Sequence, residues 1–253
     1  MPRAAAEAVA SMAAWPWLRM AAPWGSGQPV LLLPGFLAGD ELTQLARNFL
    51  RQQGFDAHTW AAGTNWGRWA ALEHIVLPRV EALADRSGRK VSLVGASMGG
   101  LYARSLAQRR PDLVQCVVTL ASAAQPPEHS NYIWPVYEAV TNQPEPTMHV
   151  PAPMPVPCTS VFSRADGLSN WRPCLQPPGP HEENVGIVSS HTGMMCHPAT
   201  LYLLGDRLSQ PEGDWRPFSP PAFLGGFYSR TSESGLPDAK VAKETAKARK
   251  GRS

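Results

Sequence analysis

The chain has 253 residues, 43% of them hydrophobic and 17% charged, with a formal net charge of +3. That length can bury a full core in one α/β domain, and the composition is globular, which excludes a disordered or membranous chain. Lys240, Lys243, Lys247, Arg249, Lys250 and Arg252 near the C-terminus account for more than the charge excess, so the body is near neutral and bulk charge points to no nucleic-acid partner.

In chain order, residues 1–27 are rich in alanine, tryptophan and proline without a sustained pattern, and read as an N-terminal extension with one short helix. Arg3 followed by alanines resembles a secretory leader, but Glu7 in its middle and the pair Trp15 and Trp17 argue against one. A cytoplasmic location is the expectation, with no transmembrane segment, because no apolar run approaches bilayer-crossing length. Pro29–Leu33 is a continuous apolar run, as in a strand buried on both faces. It ends in a glycine-rich loop, Pro34-Gly35-Phe36-Leu37-Ala38-Gly39. Asp40 is the expected N-cap of the helix that follows, carried by Leu42, Leu45, Ala46, Phe49 and Leu50, with Gly54 at the C′ position.

A weaker strand is read at 56–60, then a loop at 61–69 and a second helical pattern on Leu72, Ile75, Val76, Val80 and Leu83, kinked by Pro78. Strands at 91–94 and 113–120 enclose a helix at 98–108. Strands alternating with helices argue for parallel crossovers and a helix-covered sheet. The stretch 122–157 breaks the rhythm with prolines and aromatics, and is expected to be a small lid insertion over the carboxyl edge of the sheet. Tyr132, Trp134, Met148 and Met154 would either line an acyl pocket or only bury the insertion against the body. Strands at 158–163 and 185–188 and a helix at 198–208 close the domain, which spans 28–208. Residues 209–253 are a Pro/Gly-rich segment and a basic tail, either a solvated end or a contact for anionic lipid. Cys116, Cys158, Cys174 and Cys196 show no metal-ligand spacing; Cys116 reads as core, and a disulfide among the other three stays open.

Chemistry concentrates at Gly95-Ala96-Ser97-Met98-Gly99, a Gly-x-Ser-x-Gly turn between a strand and a helix. Such a nucleophile elbow lifts a serine hydroxyl above the end of the strand, and its glycines allow strand and helix to approach closely. A serine needs a base in contact and a carboxylate to orient that base, and on elbows of this kind they follow in the order serine, acid, histidine. Asp166 stands just past one later strand and His191 just past the next. Rival bases are His181 and His197, the latter more simply a helix N-terminal residue; rival acids are Glu182, Glu183 and Asp206.

Leu33-Pro34-Gly35-Phe36, Gly95-Ala96-Ser97-Met98-Gly99-Gly100, Ser163-Arg164-Ala165-Asp166-Gly167 and Ser190-His191-Thr192-Gly193 together resemble the successive motifs of bacterial α/β-hydrolase serine esterases and lipases. The resemblance runs from about Val30 to Leu208. It implies an α/β-hydrolase fold with a reduced, mostly parallel sheet of about six strands, helices on both faces and a small lid. It further implies Ser97 as nucleophile, His191 as general base and acid, Asp166 as orienting carboxylate, and the backbone N–H groups of Phe36 and Met98 as oxyanion hole. No cofactor or metal is needed, and the partner is a small apolar acyl-ester substrate. Pro-Gly-Phe replaces the His-Gly-Gly-Gly loop of some esterases, and the chain begins at what would be an inner strand of the full fold. A thioesterase or acyltransferase using the same triad, or a non-catalytic binding protein on the fold, are the alternative readings.

Overall fold

The structure, a computed structural model, describes residues 2–124, 134–142 and 153–230. Its elements are α1 (Pro2–Ala21), β1 (Pro29–Leu33), α2 (Asp40–Gln52), β2 (Asp56–Thr59), α3 (Leu77–Ser87), β3 (Val91–Ala96), α4 (Met98–Arg109), β4 (Val114–Leu120), α5 (Trp134–Thr141), β5 (Cys158–Phe162), β6 (Glu182–Ile187), α6 (Pro198–Leu208) and β7 (Tyr228–Arg230). The strands form one sheet in the order β2-β1-β3-β4-β5-β6-β7. The first six run parallel, and β7 pairs antiparallel with β6, Ile187 facing Tyr228.

The six parallel strands are those read from the sequence. β7 is an addition from the segment expected to be only Pro/Gly-rich. Three residues after a glycine pair carry too little periodicity to register as a strand.

Two apolar clusters fill the two faces of the sheet, and β1 shows how one strand feeds both. Val30 and Leu32 join Leu18, Phe49, Leu50, Leu203 and Leu204 on the side of α1, α2 and α6. Leu31 and Leu33 join Val80, Leu83, Leu101, Tyr102 and Leu106 on the side of α3 and α4. Alternate side chains of a strand point to opposite faces, so a strand covered by helices on both sides is apolar throughout, and all five residues of β1 are buried.

Three local details differ from expectation. Helix α1 runs for 20 residues instead of forming one short helix in an extension, and it packs on α6, on α2 and on the 3-10 turn Met194–Cys196. Alanine supplies its helix propensity, and its inward face carries the polar Glu7 and Ser11 beside Leu18, which hides the amphipathic signal. The N-cap of α2 is Gly39, whose N–H donates to Glu41 Oε1 at 2.9 Å, and Asp40 lies inside the helix. Before α3 the chain makes a π-helical turn over Leu72–Val76. Pro78 lacks the N–H that would close the regular turn there.

Helix α5 lies within the 122–157 stretch; Tyr132 and Met148 fall outside the described residues. Met154 packs in the core with Val156 and accepts from Gln108 Nε2 at 3.4 Å. All four cysteines are free thiols, and burial raises the pKa of Cys116 to about 11 and of Cys174 to about 12. Among the described residues no helix is long and apolar enough to cross a membrane.

Candidate active site

The strand order reverses between β1 and β3: the chain steps outward from β1 to β2, then returns to place β3 on the other side of β1. In open parallel sheets the crevice outside the carboxyl ends at such a switch point is where ligands bind. Here the two loops flanking it are Pro34–Gly39 after β1 and the turn at Ser97 after β3. They touch closely. A side chain at Gly35 would begin 3.2 Å from the Ser97 Cβ.

Ser97 adopts φ 47° and ψ −118°, and its N–H donates to the Leu120 carbonyl at the end of β4 at 2.8 Å. A non-glycine residue at positive φ is uncommon and carries strain. Leu37 at φ 59° and Ala121 at φ 48° also have positive φ. All three line the same cavity of about 290 Å³, whose wall is largely apolar, with Phe36, Leu42, Leu101, Tyr137, Leu168 and Met195 contributing. Small-molecule sites have this character, apolar with a few converging polar groups.

His191 enters the same cavity from the loop after β6. Its Nδ1 sits 2.8 Å from Asp166 Oδ2, and its backbone N–H donates to the Asp166 carbonyl at 3.1 Å. The other carboxylate oxygen, Oδ1, accepts from the amides of Leu168 at 2.9 Å and Ser169 at 2.7 Å. Burial works against the charge on Asp166, but the hydrogen bond and charge of His191 with those two amides outweigh it, and the pKa lies below its ordinary 3.8. Asp166 is thus an ionised, hydrogen-bonded acceptor that can fix the imidazole with its Nδ1 protonated. Ser97 and His191 face one cavity without a hydrogen bond between their side chains in this structure, an arrangement that ligand-free sites commonly show.

The two strand-end loops are also tied to each other. Ser163 Oγ donates to the Ser189 carbonyl at 2.7 Å and accepts from the Ser189 N–H at 3.1 Å. Phe36 and Met98 both line the cavity. Met98 is the first residue of α4, where a backbone N–H has no intrahelical acceptor.

The rival residues lie elsewhere. His197 is the N-cap of α6, its Nδ1 accepting from the Ala199 N–H at 3.2 Å. His181 precedes β6, at the opposite edge of the sheet, in edge contact with Trp215. Glu183 is held by Arg207 at 2.8 Å and by Thr159 at 2.7 Å, and Glu182 accepts from the Met154 N–H at 2.8 Å. Asp206 pairs with Arg207. None of these lines the cavity. No group of three or more His, Cys, Asp or Glu residues among the described residues is placed to hold a metal ion.

One residue of this site had no role in the sequence reading. Asn65, fully buried, pins the loop after β1. Its Nδ2 donates to the Pro34 carbonyl at 2.9 Å, its backbone carbonyl accepts from Leu37 N–H at 2.7 Å and its own N–H donates to the Ala38 carbonyl at 2.8 Å. Its Oδ1 accepts from the Gly67 N–H at 3.0 Å. An asparagine with glycine two residues on is a side-chain turn former, which is the signal available at Asn65-Trp66-Gly67. Asn65→Ala leaves the Pro34 carbonyl and the Gly67 N–H unpaired. It should cost about 1–3 kcal/mol of stability, read from the urea midpoint, because buried polar groups are left unsatisfied.

A family model described as the alpha/beta hydrolase fold matches residues 28–143, from before β1 through α5. No curated protein matches by sequence. Among solved structures, a Bacillus licheniformis lipase in its mature form superposes with a TM-score of 0.57 at 13% identity, covering 74% of this chain and 94% of that one. Aspergillus fumigatus lipase B gives 0.56 at 19% identity over 77% of this chain and 57% of that one. A pyrethroid hydrolase gives 0.53 at 17% identity over 74% of this chain and 99% of that one. At such identities the likeness is one of fold. With six parallel strands ordered about a switch point, helices on both faces and a family model matched from β1 to α5, this chain has the alpha/beta hydrolase fold.

Proposed function

We propose that the protein is a serine hydrolase that cleaves carboxylic esters with apolar acyl groups, in the manner of an esterase or lipase. One observation carries this reading: His191, bonded to Asp166 at 2.8 Å, opens on the same apolar cavity as Ser97 on its strained turn.

The chemistry follows from the roles these groups can fill. His191 Nε2 takes the Ser97 proton as the hydroxyl oxygen attacks the ester carbonyl carbon, and the Asp166 carboxylate stabilises the imidazolium that forms. The carbonyl oxygen, now negative, is held by the Phe36 and Met98 backbone N–H groups; one such donor is worth about 10²–10³ in turnover. The carbon–oxygen bond to the alcohol then breaks, the alcohol leaving with the proton from His191. Water, deprotonated by the same imidazole, hydrolyses the acyl-serine. Every step uses protein groups and water. The apolar wall favours an apolar acyl chain by removing its surface from water, and α5, whose Tyr137 lines the cavity, would belong to a lid over it.

A fluorophosphonate probe tests the nucleophile directly. The expected result is one covalent adduct, mapped by mass spectrometry to Ser97, with loss of hydrolysis of p-nitrophenyl esters in proportion to labelling. An unlabelled protein, or an adduct on another residue, would sink the reading.

A further inference from the structure

Glu7 interrupts the alanine-rich N-terminal stretch with a charge, and in the fold it has a definite place. It sits on the inward face of α1, 8% exposed, far in sequence from the motifs of the site. Its Oε1 accepts from the Ser190 backbone N–H at 2.8 Å and its Oε2 from the Ser190 hydroxyl at 2.5 Å. Ser190 immediately precedes His191. The Ser190 hydroxyl oxygen in turn accepts from the Gly193 N–H at 3.2 Å, so the carboxylate organises both sides of the histidine. Room for it exists only because residue 193 is glycine: a Cβ there would stand 1.6 Å from Glu7 Oε2.

The same helix also reaches the loop of the acid. Arg3, one turn before Glu7 and 3.5 Å from its Oε1, donates through Nη1 to the carbonyl of Ala165 at 3.3 Å, and Ala165 immediately precedes Asp166. Further along, the Ser11 hydroxyl donates to the Cys196 carbonyl at the end of the histidine loop. Helix α1 therefore touches the residue before the acid, the residue before the histidine, and the exit of the histidine loop. None of Arg3, Glu7 or Ser11 lines the cavity.

We infer that Glu7 is a positioning residue for the reaction, a buried carboxylate on α1 that sets the His191 loop through the N–H and hydroxyl of Ser190. The inference rests on the serine-hydrolase reading. Charge-assisted hydrogen bonds are short and directional, and two of them on a single residue fix both its position and its rotation. An imidazole displaced by about 1 Å from its productive place can lose on the order of 10²-fold in rate. Because Glu7 lies outside the cavity, its loss should act on turnover and leave substrate binding alone.

The experiment measures kcat per active site, with sites counted by fluorophosphonate titration well below the unfolding transition. Misfolded molecules are thereby removed from the rate. Glu7→Ala should lower kcat per titrated site by about 10- to 100-fold with KM within about two-fold. Glu7→Gln, which keeps an acceptor for the Ser190 N–H and the same shape, should recover to within about ten-fold of wild type. Ser190→Ala keeps the backbone bond to Glu7 and loses the hydroxyl bridge. It should fall between the two, and Glu7→Ala combined with Ser190→Ala should cost less than the product of the single effects, because both break one network.

If Glu7→Ala and Ser190→Ala each keep kcat per titrated site within two-fold of wild type, α1 is only packing and the inference is overturned. Should Glu7→Ala not fold, Ser190→Ala alone decides by the same criterion, since Glu7→Gln is the variant expected to stay near wild type. Failure of wild type to label at Ser97 would overturn the underlying hydrolase reading instead, so the two outcomes are separable.

Discussion

Asp166→Asn lowers ester turnover by about 10⁴-fold, and His191→Ala removes nearly all of it, while both proteins fold. These are the expected results if the pair acts as proposed. The asparagine keeps the size of the side chain and one acceptor for the Leu168 and Ser169 amides. What it loses is the carboxylate facing His191 Nδ1 at 2.8 Å, and with it the preference for the proton on that nitrogen and the charge that steadies the imidazolium. His197→Ala is the control: it removes the cap of α6, costs about 1 kcal/mol of stability, and leaves turnover near wild type. Turnover that survives His191→Ala and disappears in His197→Ala would show the base to be misassigned. The acid side of the stability curve offers a second check on Asp166. Because its pKa is depressed in the folded state, it contributes stability that is fully present above its ordinary 3.8 and is lost as the pH falls through the lower folded value. The Asn variant lacks that contribution, so the stability gap between it and wild type should narrow as the pH drops from about 5 towards 3. A gap that stays constant would mean the carboxylate is not stabilised in the fold.

Gly95→Ala or Gly99→Ala should abolish the native fold or lower its stability by 3 kcal/mol or more, the upper end of the ~1–3 kcal/mol range for forced overpacking. A Cβ on Gly99 would lie 2.3 Å from the Leu33 carbonyl oxygen and 2.7 Å from that of Pro34. One on Gly95 would lie 2.4 Å from the Gly100 nitrogen and from Gly99 carbonyl atoms. Both obstacles are backbone, which cannot rotate away as a side chain can. The contacts join β1, β3 and α4, the centre of the sheet, so yielding there displaces the switch-point loops together. Gly225→Ala meets nothing within 4 Å and should change the urea midpoint by no more than about 0.5 kcal/mol. Equal midpoints for Gly99→Ala and wild type would refute the close packing of the elbow.

The parts of this molecule that were legible in the sequence are those where one local rule dominates. Buried parallel strands announce themselves as unbroken apolar runs, and β1, β3, β4 and β5 were located to within a residue or two. The turn at Ser97 is legible because glycines must flank it, and the placement of Asp166 and His191 because each follows a strand end, Phe162 and Ile187, within one short loop. Illegible features depend on contacts distant in sequence. Glu7 looks like a solvated charge until Ser190, 183 residues away, is brought against it. Asn65 looks like loop filler until the Pro34 carbonyl requires a donor. Strand β7 exists because the edge of β6 offers unpaired backbone groups, a condition created only once the sheet has formed.

The positive-φ residues around the cavity bear on how this fold could change. Among the described residues, five non-glycine positions have φ above zero, and three of them, Leu37, Ser97 and Ala121, border the cavity. Each such conformation costs about 1–3 kcal/mol, against a total folding stability on the order of 5–15 kcal/mol for a natural domain. That cost falls at one edge of one sheet. Leu37 and Ala121 could be relieved by glycine without touching the serine, so selection for heat resistance has an open route there.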